Sequence, residues 1–227
     1  MGIFAISDLH LSKANPKPMD IFGANWENHW DKIKNDWCMN VQESDTVLIP
    51  GDISWAITLD DAMADIMDID RLPGRKVLSR GNHDYWWSSA SKMKKVFPES
   101  ICFVQNNFVD IGDWYVSGTR GWNLPGDERF TDEDMKIYKR ELMRLELSLS
   151  SAPDTKPIIV MIHYPPFYEN GEPSKFVDIM KKYNVKHCVF GHLHGDSLKR
   201  VIEGEMYGIR FTMVSCDYLD FKVKKIY

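Results

Sequence analysis

The chain has 227 residues, 44% of them hydrophobic and 27% charged, with a formal net charge of −5. That length supports one substantial α/β core, so a single domain over residues 1–227 is expected. The acidic balance does not favour nucleic acid as a partner gripped through the overall field, and no stretch approaches the roughly 18 apolar residues of a membrane span. The opening Met1-Gly2-Ile3-Phe4-Ala5-Ile6-Ser7-Asp8 carries no basic region and reads as a first strand, which points to a cytoplasmic protein. The four cysteines, Cys38, Cys102, Cys188 and Cys216, form no C-x-x-C pair and read as reduced, mostly buried thiols.

In chain order, strands and helices alternate. Ile3–Ser7 reads as a strand and Ala14–Gly23, with two prolines, as a loop. Trp26, Trp30, Ile33, Trp37 and Val41 recur at helical spacing and predict a helix face packed on a sheet, with His29 off that stripe and solvated. Thr46–Pro50 is the second strand, Thr58–Leu72 a helix, Lys76–Ser79 the third strand and Ser88–Val96 a short basic helix closed by Pro98. Ile101–Val104 and Trp114–Ser117 follow as strands, with Phe108–Ile111 pairing between them. Thr131–Leu149 is the clearest helix: Thr131 and Asp134 give a capping-box-like start, and Asp132 and Glu133 suit the positive end of the helix dipole. Ile158–Ile162 is a continuous apolar strand of the kind buried on both faces. Pro173–Tyr183 reads as helix and His187–Phe190 as strand, and the alternating tail from Lys199 to Tyr227 as two or three antiparallel strands. This order points to a mixed sheet, or two sheets, flanked by helices.

Five of the seven histidines lie in short polar clusters, each directly after one of these apolar runs. The clusters are Asp8-Leu9-His10, Gly51-Asp52, Gly81-Asn82-His83-Asp84, His163 ahead of Tyr164-Pro165-Pro166, and Gly191-His192-Leu193-His194. With a strand period of two, Asp8 and His10 point to one side, as do His192 and His194, so each pair can converge on one site or on two close ones. The glycines allow a sharp exit from the strand and close backbone approach. Imidazole, carboxylate and amide donors without thiolate suit Mn, Fe, Zn, Co or Ni more than a structural zinc site.

Taken together and in order, these clusters resemble the calcineurin-like metallophosphoesterases over Asp8–His194. The resemblance implies a four-layer α/β/β/α sandwich, two mixed β-sheets flanked by helices, with two metal ions at the strand ends. It implies one metal on Asp8, His10, Asp52 and His194, and a second on Asp52, Asn82, His163 and His192, with Asp52 shared. It further implies phosphate-ester hydrolysis by a hydroxide held between the metals. His83 would assist the leaving oxygen by donating a proton or steadying its charge, and Asp84 would orient His83.

The sequence also departs from two branches of that family. Trp55 stands where the purple acid phosphatases carry an iron-ligating tyrosine. Gly51-Asp52-Ile53-Ser54-Trp55-Ala56-Ile57 lacks the arginine of the protein serine/threonine phosphatases, although Arg80 before Gly81 resembles that branch. Arg120, between Thr119 and Gly121, could meet a phosphate or stand as a surface arginine. Trp55, Tyr85, Trp86, Trp87, Trp122, Tyr164 and Phe167 could wall a pocket for an aromatic or nucleoside group, or simply pack around the site. The expected partner is a small phosphate ester, monoester or diester. A nuclease, a protein phosphatase and a non-catalytic scaffold are the alternatives. Substrate, metal identity and oligomeric state are not specified by these motifs.

Overall fold

The computed structural model describes residues 1–126 and 129–227. In chain order its strands are β1 (Ile3–Ala5), β2 (Thr46–Pro50), β3 (Arg75–Ser79), β4 (Ile101–Phe103), β5 (Val109–Asp110), β6 (Tyr115–Thr119), β7 (Ile158–Ile162), β8 (Val185–Phe190), β9 (Gly204–Met206), β10 (Ile209–Met213) and β11 (Lys224–Lys225). Its α-helices are α1 (His29–Asn40), α2 (Leu59–Asp70), α3 (Ala90–Val96), α4 (Asp132–Ser150) and α5 (Lys175–Met180). The strands form two mixed sheets. One runs β11-β1-β2-β3-β4, parallel except for β11; the other runs β5-β6-β7-β8-β10-β9, antiparallel only at its two ends.

The period of two along each strand generates four layers. On β2, Val47 and Ile49 face Ile33, Trp37, Ile66 and Ile69 of α1 and α2, while Leu48 faces the other way. On β7, Ile158, Val160 and Ile162 face Leu145, Leu149, Phe176 and Val177 of α4 and α5, while Ile159 and Met161 turn inward. Those inward residues meet Leu48, Val77 and Val189 to form a third core between the sheets. Fully burying each such side chain contributes about 1.5–3 kcal/mol. The expected α/β/β/α sandwich is therefore the observed architecture.

Several helix ends follow from local chemistry. Thr58 accepts from Asp61 N at the start of α2, and Thr131 and Asp134 form the expected reciprocal capping box on α4. At the other end of α2, the buried Lys76 ammonium donates to the carbonyls of Asp70 and Leu72, which ties the helix exit to β3.

Three expectations need correction. The tryptophan stripe is not one helix: Trp26 sits in a 3-10 turn, Asn28 adopts a left-handed φ of 52°, and α1 begins only at His29. His29 is not solvated, because its Nε2 donates to Leu9 O at 2.9 Å and its ring packs against Trp26. The tail is not simply antiparallel, since β10 enters the second sheet parallel to β8 and only its partner β9 runs against it. Of the cysteines, Cys188 and Cys216 are buried, Cys102 is half-buried and Cys38 is exposed. Among the described residues no helix is long and apolar enough to cross a membrane.

Candidate metal centre

The polar clusters sit at the carboxyl ends of β1, β2, β3, β7 and β8, and the chain turns sharply there. Asp8, His10, Asp52 and His192 have φ values of 59°, 47°, 51° and 75°. Non-glycine residues seldom adopt this left-handed region, and it costs energy that surrounding structure must offset. Asp8 and His10 thus converge through successive left-handed turns beyond β1, not through continued strand geometry as the sequence suggested. Close packing makes two glycines obligatory. A Cβ at Gly81 would lie 2.1 Å from Asp52 Oδ1, and one at Gly191 would lie 2.4 Å from Asp8 Oδ2.

Two groups of ligand atoms result. Asp8, His10 and His194 present one set, and Asp52, His163 and His192 the other, with the atoms of each set within 4.8 Å of one another. Asn82 joins the second: its Oδ1 lies 2.9 Å from His163 Nε2. Asp52 Oδ2 lies 3.3 Å from His163 Nε2 and 3.9 Å from His10 Nε2, so one carboxylate faces both groups.

The donor chemistry fits cations. His163 Nδ1 donates to Pro50 O at 3.0 Å, which leaves Nε2 with its lone pair in the neutral ring. That lone pair faces Asn82 Oδ1, Asp52 Oδ2 and His192 Nδ1, the last at 3.3 Å. With the ring neutral, four electron-rich atoms this close repel unless a positive charge, a proton on Nε2 or a metal cation in its place, sits among them. Separations near 3 Å are also the ligand–ligand edges expected around a first-row metal at roughly 2.0–2.2 Å.

The protonation balance carries the same message. Burial opposes charge on His163, yet Asp52 and Asp8 hold its pKa up at about 9. Burial likewise opposes charge on His194, but Asp8 and Asp217 raise it to about 10. Burial would raise the Asp8 and Asp52 carboxyls, but His194 and His163, respectively, hold them below the usual range. Burial drives His10 down to about 4 and, with His163 beside it, His192 down to about 3, so both rings are neutral and able to ligate.

His83 lies at the rim. Its Nε2 is 4.0 Å from Asp52 Oδ2, its side chain is 35% exposed, and its ring packs on Trp55 at 4.3 Å. Its main-chain N–H donates to Asp52 Oδ1 at 2.8 Å, so the residue also orients the shared carboxylate. Asp84 does not orient His83. It is fully buried and accepts from the main-chain N–H groups of Ile53, Ser54 and Gly81 and from Trp86 Nε1. Four donors consume the carboxylate, and its role is to pin the Asp52 and Asn82 loops together.

The aromatic candidates separate. Trp86 is 2% exposed and belongs to the first core, so it walls no pocket. Trp87 donates Nε1 to Gln105 Oε1 away from the ligands. Trp55 stacks on His10 at 4.9 Å, with the Lys17 ammonium 3.2 Å above its ring. Tyr85 is exposed beside His83. Tyr164 covers His192 at 4.0 Å, and Trp122 lies 5.3 Å beyond it. Trp122, Tyr164, Phe167, His192 and Leu193 line a cavity of about 560 Å³ that reaches the second ligand group. Arg120 points elsewhere, its guanidinium lying between Glu141 and the face of Trp122.

Sequence reasoning missed the supports behind Asp8 and His194. Ser7 and Ser215 hydroxyls donate to Asp8 Oδ2, and His194 Nδ1 donates to Asp217 Oδ1 at 2.8 Å. Ser215-Cys216-Asp217 follows β10 just as the other clusters follow their strands; that placement was the available signal.

The family model described as calcineurin-like phosphoesterase matches residues 1–196. No curated protein matches the chain significantly. Among solved structures, the protein of unknown function AQ665 from Aquifex aeolicus is similar at TM-score 0.51 and 19% identity, covering 99% of this chain and 95% of that one. The phosphopantetheinyl hydrolase from Mycobacterium tuberculosis is similar at TM-score 0.60 and 13% identity, with the same coverage. At these identities the two likenesses speak for the fold. The match over residues 1–196, on a four-layer sandwich with two ligand groups at its strand ends, places the chain in the calcineurin-like phosphoesterase family.

Proposed function

We propose that this protein is a dinuclear-metal-dependent hydrolase of a small phosphate ester. The observation that carries this reading is the pair of ligand groups facing one another across Asp52. Asp8, His10, Asp52 and His194 would hold one cation, and Asp52, Asn82, His163 and His192 the other, with Mn, Fe or Zn suited to these donors. Two bound cations supply Lewis acidity toward the phosphoryl oxygens and make water a usable nucleophile at neutral pH.

The chain's own residues supply positioning. Asp84 and Gly81 fix the loop that carries Asn82 and His83, and Asp217 fixes the ring of His194. His83, at the rim with its Nε2 4.0 Å from Asp52 Oδ2, would meet the departing oxygen, and its pKa is lowered chiefly by burial. A neutral imidazole N–H there steadies the leaving oxygen by hydrogen bonding. The aromatic cavity beyond Tyr164 and His192 suits the organic part of the ester.

A panel of phosphomonoesters, cyclic nucleotides and diesters, assayed with several divalent metals, tests the reading. A phosphopantetheinyl ester belongs in that panel, given the name of the M. tuberculosis neighbour. Turnover on at least one class is expected. Full metal occupancy with no phosphoesterase activity across the panel overturns the proposal.

A further inference from the structure

Away from the ligand groups, a second cavity of about 270 Å³ lies between the loops that follow β3 and β4, the end of β6 and the flank of α4. Arg80, Arg120 and Arg144 line it, with Glu141 the one carboxylate on its described wall. Glu141 is 1% exposed and already engaged: Thr119 Oγ1 donates to Oε2 at 2.7 Å and Arg144 Nη1 to Oε1 at 2.8 Å. The Arg120 side chain is only 10% exposed, reaches Glu141 by one long contact of 3.4 Å, and leaves its Nε buried without an acceptor. Arg80 Nε is likewise buried without an acceptor. Among the described residues no hydrogen bond or ion pair engages the Arg80 guanidinium.

Three guanidinium groups thus line one partly enclosed space, where of the three only Arg120 and Arg144 reach the Glu141 carboxylate, which Arg140 also approaches from outside at 3.9 Å. Buried N–H donors left unpaired are costly, and clustered like charge adds to that cost. A tetrahedral oxoanion removes both penalties, because guanidinium groups match its oxygens in parallel pairs. Gln105, Asn106, Ser88 and Ser89 add neutral polar groups to the wall. None of the ligand residues lines this cavity; Arg120 turns toward Glu141, while Arg80 lies in the field of the buried Asp84 carboxylate first and of Glu141 second. The two sites still share backbone: His163 and Tyr164 both donate to Arg120 O at 3.0 Å.

We propose that this cavity is a second anion site, separate from the metal centre, that holds a phosphate-like oxoanion on Arg80, Arg120 and Arg144. The anion can come from free inorganic phosphate or from a second phosphoryl group on a substrate. Thermal unfolding of the full chain with orthophosphate or methylenediphosphonate tests this, in the metal-loaded protein and in the Asp52→Asn background. Orthophosphate should stabilise both proteins. Arg80→Gln should weaken its apparent affinity about tenfold or more, since a charge-assisted bond is lost. Glu141→Gln, which removes the competing carboxylate, should tighten it. Neither trend is expected of an anion held at the histidine ligands. Because Arg80 makes no hydrogen bond or ion pair among the described residues, Arg80→Gln should fold normally. If only the diphosphonate binds, in the metal-loaded protein and in an Arg80-dependent way, the site serves a second phosphoryl group on the substrate. Equal stabilisation of wild type and Arg80→Gln by both probes, or by neither, overturns the proposal and leaves the cavity to water. These readouts do not depend on turnover, so they stand or fall apart from the hydrolase reading.

Discussion

His194 donates from Nδ1 to Asp217 Oδ1 at 2.8 Å, while its Nε2 faces Asp8 Oδ1 at 3.1 Å. The first bond selects the tautomer whose lone pair points into the ligand group. Such outer partners orient metal-ligating histidines, and their loss typically costs about 10- to 100-fold in affinity. Asp217→Ala is therefore expected to lower metal affinity at the Asp8–His10–His194 group by about that factor. Competition titration with a chelator would measure it, and an unchanged affinity for both metals would rule the role out.

The shared carboxylate and the rim histidine should behave differently from each other. Asp52→Asn weakens both ligand groups at once, so metal content and turnover should fall together. His83→Ala should leave metal content near two per chain while turnover drops by roughly 10²–10³-fold, the usual range for loss of one hydrogen-bond donor that stabilises developing charge. Metal analysis paired with steady-state kinetics separates the two. Loss of metal in His83→Ala would recast that residue as a ligand.

Metal uptake should release protons. Without cations, the carboxylates hold His163 at about 9 and His194 at about 10, so both rings are protonated at pH 8. A cation must displace those protons, so binding should strengthen as pH rises toward 9 and weaken as it falls. In weakly buffered solution at pH 8, titration with Zn²⁺ or Mn²⁺ should acidify the sample by about one proton per site. Uptake with no pH change would contradict these assignments.

The parts of the fold that follow from local pattern were legible. Apolar runs such as Ile158–Ile162 read directly as strands, and Thr131 with Asp134 announced α4. The ligand clusters were legible because chemistry gathers at strand ends. Three things were not. The left-handed backbone at Asp8, His10, Asp52 and His192 is imposed by convergence, and nothing in those side chains announces it. Trp86 sits beside the Gly81–Asp84 cluster in sequence, yet Asp84 satisfies its indole N–H inside the core, so proximity along the chain misled. Asp217 meets His194 across 23 residues through the parallel insertion of β10, a tertiary event without a periodic signal.

Asp84 should matter first to stability. Its carboxylate is the acceptor for three buried main-chain N–H groups and the Trp86 indole. Asp84→Ala strands these donors, and each unsatisfied group costs about 1–3 kcal/mol. A loss of at least about 3 kcal/mol is expected in urea unfolding, with metal content falling because Asn82 and Asp52 lose their anchor. Asp84→Asn retains acceptor oxygen and should lose less. An Asp84→Ala protein as stable as wild type would refute the anchoring role.

His187 supplies a pH dependence independent of the metal centre. It is 1% exposed between Thr212 Oγ1 at 2.8 Å and Tyr227 Oη at 3.2 Å. Burial, aided by Arg210, pushes its pKa down to about 4, against about 6.5 in an unfolded chain. Between those values the unfolded chain binds a proton that the folded chain does not, so stability falls as pH falls. The contribution is complete above about 6.5 and is lost progressively toward the folded value, reaching about 2 kcal/mol by pH 5. His187→Gln removes the titration but keeps a polar side chain. The stability difference between wild type and His187→Gln, measured by urea unfolding at pH 7 and pH 5, should therefore shift by about 2 kcal/mol against the wild type. A difference that stays constant across that interval would show that His187 titrates alike in both states.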